Sequence, residues 1–360
     1  MKVVTIFGTR PEMIKMWSTL KLLDESPLEH IMVHTGQNFS PELKDFFFSN
    51  LGLRAPDFEF GIDVSSYGRE VADVIRSADE LFVKVKPDAL LILGDTYSAL
   101  SVMPAAHSGI KVFHMEAGLR AYDKRMPEQR NRILIDHMSD INLPFHRYHR
   151  ENLLREGIHP SRIIVTGNPT FEVMRAFAPQ IENSDILTRL ELTPGGYLLV
   201  TAHRSENVDS AVNLRKILTC LGALAKTFSK RVIYPMHPRT HSKLSGHSIP
   251  ENVIIIPPLG FYDFNQLLKS SWCVLSDSGT APEEALFYKI PAVSLRMTTE
   301  RPETIEAGGH IVAGLEPDDV VRAVSVAVSV PWMGRYEFEE DFSPSHVVLN
   351  TMLSRITNFF

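Results

Sequence analysis

Of four side chains able to move protons, three stand where apolar runs stop and one where a helical pattern starts. Asp95 follows "ALLIL" and a glycine, Glu116 closes "KVFHM", His203 comes shortly after "YLLVT", and Glu128 opens the helical-period stretch from Pro127. Carboxylates so placed can act as general bases or acids if burial or neighbours tune them. Each would serve equally as a cap or an exposed charge. A second set suits anions. Arg10, in "GTRPEMIK", ends the first apolar run with Lys15 downstream, and both could pair with phosphate oxygens. In "SDSGTAPEEA", Ser278 and Gly279 lie between a strand-like run and a helix begun near Pro282. Unpaired N–H groups there suit a diphosphate, and Glu284 could accept from ribose hydroxyls. The alternative is an ordinary N-cap with acids complementing the helix dipole.

His203, His237, His241 and His247 invite a metal reading, but no His-Glu-x-x-His or Cys-x-x-Cys occurs. Gly-x-Ser-x-Gly, Walker and Gly-x-Gly-x-x-Gly patterns are absent too. These residues point to an enzyme that binds a phosphorylated ligand and leave its reaction open.

The elements that must position them are legible as apolar runs alternating with helical-period stretches. Strands are expected at about 3–7, 30–34, 89–93, 111–114, 141–144 and 162–166, then at 197–201, 231–235, 253–256, 273–276, 292–295 and 311–313. Helices fall at Pro11–Leu23, Glu42–Phe48, Tyr67–Lys84, Ser98–Ser108 and Pro127–Met138. Val208–Phe228, Asp263–Ser270, Pro282–Tyr288, Pro302–Ala307 and a C-terminal stretch follow. Such alternation means parallel sheets covered on both faces. The fold class is α/β, two doubly wound Rossmann-like domains facing across a cleft. Expected bounds are 1–168 for the first, holding the acid–base carboxylates, and 169–342 for the second, holding the nucleotide. Residues 343–360 form a helix whose packing partner the pattern leaves open. In open α/β sheets ligands bind beyond the carboxyl ends of the strands, where Arg10, Asp95, Glu116, His203, His237, Ser278 and Gly279 fall.

Composition narrows the class. The 360 residues are 44% hydrophobic and 22% charged, with a formal net charge of -6. That balance argues against nucleic acid or an anionic membrane as partner. Cys220 and Cys273 sit in apolar runs, no leader pattern opens the chain, and no apolar stretch approaches membrane-spanning length. A cytoplasmic protein is expected.

"GTRPEMIK", "LGDTYSAL", "HMEAGLRAYDKRMPEQRNR", "TAHRSEN", "SDSGTAPEEA" and "TTERPET" resemble, in order and spacing, the non-hydrolysing UDP-N-acetylglucosamine 2-epimerases, over roughly residues 1–312. The resemblance implies a GT-B-like fold and inversion at C2 of a UDP-2-acetamido sugar. UDP is eliminated to leave a 2-acetamidoglycal and is added back after reprotonation. It also implies a homodimer and no cofactor. Asp95, Glu116, Glu128 and His203 fall on the family's catalytic positions. Arg10, Lys15, Arg204, Phe264, Ser278, Gly279, Glu284 and Arg301 fall on its UDP-binding positions, with Phe264 beside the uracil and Glu284 on the ribose.

Two departures bear on substrate. In "HTGQNFSPEL" Gln37 remains, but Asn38 and Phe39 replace the rest of a Gln-His-Arg triplet that many members use to bind an activating substrate. "HTGQN", "HMEAG", "DHMSDINLP", "HPRT" and "PLGFYDFN" resemble the subgroup that forms UDP-N-acetyl-L-fucosamine from a UDP-2-acetamido-2,6-dideoxy-L-talose-type sugar. UDP-N-acetylglucosamine is the expected substrate, with that deoxy sugar as the alternative. A hydrolysing epimerase and a GT-B glycosyltransferase are further alternatives.

Overall fold

The computed structural model describes residues 1–37, 48, 51–123, 126–236, 238–330 and 342–354. The expected Glu42–Phe48 helix, apart from Phe48, and Asn38, Phe39 and His237 lie outside the described residues. The chain divides into two compact units, one holding Met1–Val173 and the Pro344–Leu353 helix, the other beginning at Met174.

The first unit is built on a parallel six-stranded sheet: β1 Lys2–Phe7, β2 Glu29–His34, β3 Phe58–Glu59, β4 Ala89–Leu93, β5 Lys111–Met115 and β6 Ile141–Leu143, in the order β3-β2-β1-β4-β5-β6. Strands β1, β2, β4 and β5 carry buried apolar residues because helices cover the sheet. Val4, Ile6, Leu90, Ile92 and Val112 pack against Ala78, Leu81 and Phe82 of the Tyr67–Val85 helix. One expected strand is corrected. Residues 162–166 make only an isolated bridge, Asn142 to Ile163, and the sixth strand is the two-residue β3.

The second unit repeats the plan with β7 Tyr197–Thr201, β8 Arg231–Pro235, β9 Val253–Ile256, β10 Cys273–Ser276, β11 Ala292–Ser294 and β12 His310–Val312, in the order β12-β11-β10-β7-β8-β9. Strand alternation divides β7 between two cores. Leu198 and Val200 meet Ile217, Leu221 and Leu224 of the Ala211–Phe228 helix and Val320 and Val324 of the Pro317–Ser329 helix. Tyr197 and Leu199 meet Leu267 and Leu268 of the Phe261–Ser270 helix and Ala285 of the Ala281–Phe287 helix. The polar stretch after Thr166 holds short helices at Pro169–Ala176, Ala178–Glu182 and Ile186–Arg189. The Pro344–Leu353 helix packs on the Arg10–Glu25 helix, and Glu172 accepts hydrogen bonds from Ser343 and Ser345.

Candidate active site

In the first unit three neighbouring strands deliver the candidate residues. β1 leads into Arg10, β4 into Asp95 and β5 into Glu116, all beyond carboxyl ends and around the point where strand order reverses. Gly8, after β1, has no room for a side chain: a Cβ would lie 2.0 Å from Thr35 Oγ1 and 2.5 Å from Ser98 Oγ. Thr9 then caps the Arg10–Glu25 helix, and Glu12 turns back to accept from the Thr9 N–H at 2.8 Å. Burial pushes the Glu12 carboxyl up to about 7, against hydrogen bonds from Thr9, Gly8 and Thr96 that pull it down.

Asp95 and Glu116 are each braced by a cation. The Arg132 guanidinium pairs with Asp95 Oδ2, and Asn131 Nδ2 donates to the Asp95 carbonyl at 3.0 Å. Both donors lie on the Pro127–Met138 helix, whose second residue is Glu128. Lys15 Nζ donates to both oxygens of Glu116 at 2.9 and 2.8 Å, and the pair is buried. Glu116 itself has φ +64, a left-handed conformation that a non-glycine residue keeps only when its surroundings enforce it.

Those surroundings are a buried polar cluster. His114 Nε2 donates to the Gly94 carbonyl at 2.8 Å, and its Nδ1 lies 2.9 Å from Asp136 Oδ1. Arg120 Nη2 pairs with Asp136 at 2.7 Å and with Glu156. Burial alone would raise Asp136, but His114 and Arg120 outweigh it and hold this carboxyl below its usual range. The Gly118 N–H also donates to Asp136, and the φ of +78 at Gly118 and a Cβ position 2.2 Å from the His149 carbonyl demand glycine there. "HMEAGLR" is thus anchored at His114, Gly118 and Arg120, with Glu116 between the anchors.

In the second unit the tips of adjacent strands β7 and β10 carry His203 and Ser278. Asp277, fully buried, accepts from the His203 N–H at 3.0 Å, the Arg204 N–H at 3.0 Å and Asn207 Nδ2 at 3.0 Å. The His203 side chain is exposed. Glu300 lies 3.5 Å from Arg204 Nη2 and accepts from Arg296 Nη2 at 2.8 Å. A Cβ on Gly279 would fall 2.5 Å from Glu300 Oε1, so glycine admits that carboxylate.

Several of the expected binding residues have partners inside their own unit. The Ser278 N–H donates to Ser276 Oγ and the Thr280 N–H to Ser278 Oγ, so these donors close a turn ahead of a helix of only seven residues. Arg301, expected on phosphate, is 2% exposed, with its guanidinium 3.0 Å from Glu283. Lys15, also expected on phosphate, is held on Glu116. Glu284 is buried on the Ala281–Phe287 helix, and Phe264, on the Phe261–Ser270 helix, is partly buried against the core that holds Tyr197 and Leu199.

Sequence reading missed Glu12, Arg132, Asp277 and Glu300. Thr9-x-x-Glu12 was a readable capping-box signal, and Arg132 lies one helical turn after Glu128. Asp277 and Glu300 gave no signal beyond standing in motifs. Among the described residues no three His, Cys, Asp or Glu side chains form a group able to hold a metal ion, and no helix is long and apolar enough to cross a membrane.

Residues 21–338 match the family model described as UDP-N-acetylglucosamine 2-epimerase. A UDP-N-acetylglucosamine 2-epimerase of Methanococcus maripaludis is 34% identical over 333 residues, covering 90% of each chain. The UDP-2,3-diacetamido-2,3-dideoxy-D-glucuronate 2-epimerase of Pseudomonas aeruginosa is 32% identical, over 91% of this chain and 92% of its own. The crystal structure of Methanocaldococcus jannaschii UDP-GlcNAc 2-epimerase in complex with UDP-GlcNAc and UDP superposes with a TM-score of 0.92 at 31% identity, covering 98% of this chain and 100% of that one.

Proposed function

Because the chain belongs to the UDP-N-acetylglucosamine 2-epimerase family, we propose that it is a non-hydrolysing epimerase converting UDP-N-acetylglucosamine to UDP-N-acetylmannosamine. The observation that carries this reading is the pair of braced carboxylates on adjacent strands, Asp95 on Arg132 and Glu116 on Lys15. The C2 hydrogen of such a sugar has no neighbouring carbonyl, so its removal must be coupled to loss of the leaving group. A carboxylate takes the C2 proton as the C1–O bond breaks, and the C2–H electron pair becomes the C1–C2 double bond. UDP departs with the C1–O pair. Protonation of the 2-acetamidoglycal at C2 from the other face and return of a diphosphate oxygen to C1 complete the inversion.

Asp95, Glu116 and Glu128 are the acid–base groups. Arg10, Arg204 and His203 stabilise charge building on the departing diphosphate. Ser278 and Gly279 hold phosphate, Glu284 the ribose and Phe264 the uracil. Lys15 orients Glu116, and Arg301 meets phosphate only after leaving Glu283. Neither hydride nor metal takes part in these steps. The enzyme works as a cytoplasmic homodimer. A different UDP-2-acetamido sugar is the second reading, favoured by the Pseudomonas relative, whose substrate differs.

Incubation with UDP-N-acetylglucosamine in deuterated water tests the reading. Deuterium enters C2 of substrate and product, and Glu116→Gln slows entry by about 10²–10⁴-fold. No exchange into any UDP-2-acetamido sugar would reject it. Stoichiometric free UDP would indicate hydrolysis, and product only with an added acceptor would indicate glycosyl transfer.

A further inference from the structure

The N–H groups of the first strand-to-helix turn in a doubly wound domain are a ready cradle for a ligand phosphate. Here the chain fills that cradle itself. Glu12 Oε2 accepts from the Gly8 N–H at 3.1 Å, the Thr9 N–H at 2.8 Å and Thr9 Oγ1 at 2.8 Å. Its other oxygen, Oε1, accepts from Thr96 Oγ1 at 2.8 Å, one residue beyond Asp95. Glu12 is 2% exposed, so these protein donors are its surroundings. Behind the turn, Thr35 and Ser98 share a hydrogen bond of 2.8 Å across the space that Gly8 leaves open. One carboxyl group therefore spans the tips of β1 and β4, the strands that deliver Arg10 and Asp95.

We propose that Glu12 is an internal substitute for a ligand phosphate, closing the first turn to nucleotide and acting as a positioning residue that fixes Arg10 relative to Asp95. The inference rests on the roles given to those two residues above. Phosphate oxygens near this turn are thereby left to the Arg10 side chain, and the cap serves the chemistry as well as the helix.

Full-length Glu12→Ala tests it at pH 8, with formate as the probe. The variant leaves a carboxylate-sized gap walled by the Gly8 and Thr9 N–H groups, which formate can refill. The melting temperature of the variant rises with formate concentration while that of the wild type does not move. Without formate, kcat for C2 exchange falls on the order of 10²-fold with KM changed less than about threefold, as expected for misplacement rather than lost binding. Formate restores about tenfold or more of that loss. Absence of both formate effects, or a kcat within about twofold of wild type, overturns the proposal.

If Glu12→Ala yields no folded protein, Glu12→Asp decides. Its carboxylate keeps the charge but is one methylene too short to hold the Gly8–Thr9 turn and Thr96 together, so kcat falls while KM holds; an unchanged kcat overturns the proposal. The melting experiment contains no nucleotide sugar. A formate-dependent shift beside a wild type inactive on every UDP-2-acetamido sugar would keep the internal substitution and sink the assigned reaction instead.

Discussion

Lys15 and Glu116 are a buried ion pair whose worth lies in being complete. Their contact links the first helix to the tip of β5, and removing either partner strands a charge away from water. Lys15→Met should destabilise the protein by about 3–5 kcal/mol, read from urea unfolding, and should lower kcat as well. A loss below about 1 kcal/mol would mean that water reaches Glu116 freely. His310 makes a second residue-scale case. It lies between Ser294 Oγ at 2.6 Å and Thr304 Oγ1 at 2.7 Å, and burial, with Arg296 adding, pushes it down to about 4. The imidazole is thus neutral in the fold. The unfolded chain takes up its proton as pH drops below 6.5, so this stabilisation is present above 6.5 and lost as pH falls through about 4. The difference approaches ~3 kcal/mol. Comparing urea unfolding of wild type and His310→Gln at pH 7.5 and 4.5 should show a flatter dependence in the variant.

At the scale of elements, the buried parallel strands were the most legible part of the sequence. Val3–Phe7, Ala89–Leu93 and Tyr197–Thr201 are buried and largely apolar on both faces because helices cover both, and their five-residue length between turn residues marks them as strands. Phe58–Glu59 escaped because two residues carry no period, and residues 162–166 misled because they meet the β6 region through one bridge and two backbone hydrogen bonds, from the Ile164 N–H to Asn142 and the Thr166 N–H to Pro144, rather than as a paired strand. Within the site, carboxylates at strand tips could be read and their partners could not. Lys15 and Glu116 are 101 residues apart, and the Arg204 and Glu300 pair spans 96. Such pairings are decided by topology. Gly118 shows the same dependence: it stands out only once His149 is seen against it. Gly118→Ala would combine a disfavoured backbone with a clash on a carbonyl, costing about 3 kcal/mol or more and disordering the Glu116 tip. Thermal melting and C2 exchange check this together; a variant with wild-type melting would remove the case for that anchor.

For the molecule as a whole, each unit has its own sheet and its own core, so unfolding need not be a single transition. If the second unit holds the nucleotide, as proposed, UDP alone should protect amides at 201–208 and 277–284 from hydrogen exchange more than those at 8–16. Equal protection of both regions would contradict that division. The Pro344–Leu353 helix, which packs on the Arg10–Glu25 helix, carries a different consequence. The ribosome makes nearly all of the first unit early, yet that unit lacks one of its helices until the whole second unit has been translated. At about 5–20 residues per second the wait is roughly 10–40 s. During that interval the surface of the earliest helix that the last one covers stays open, which makes the nascent chain a candidate client for chaperones despite the order in which its parts are written.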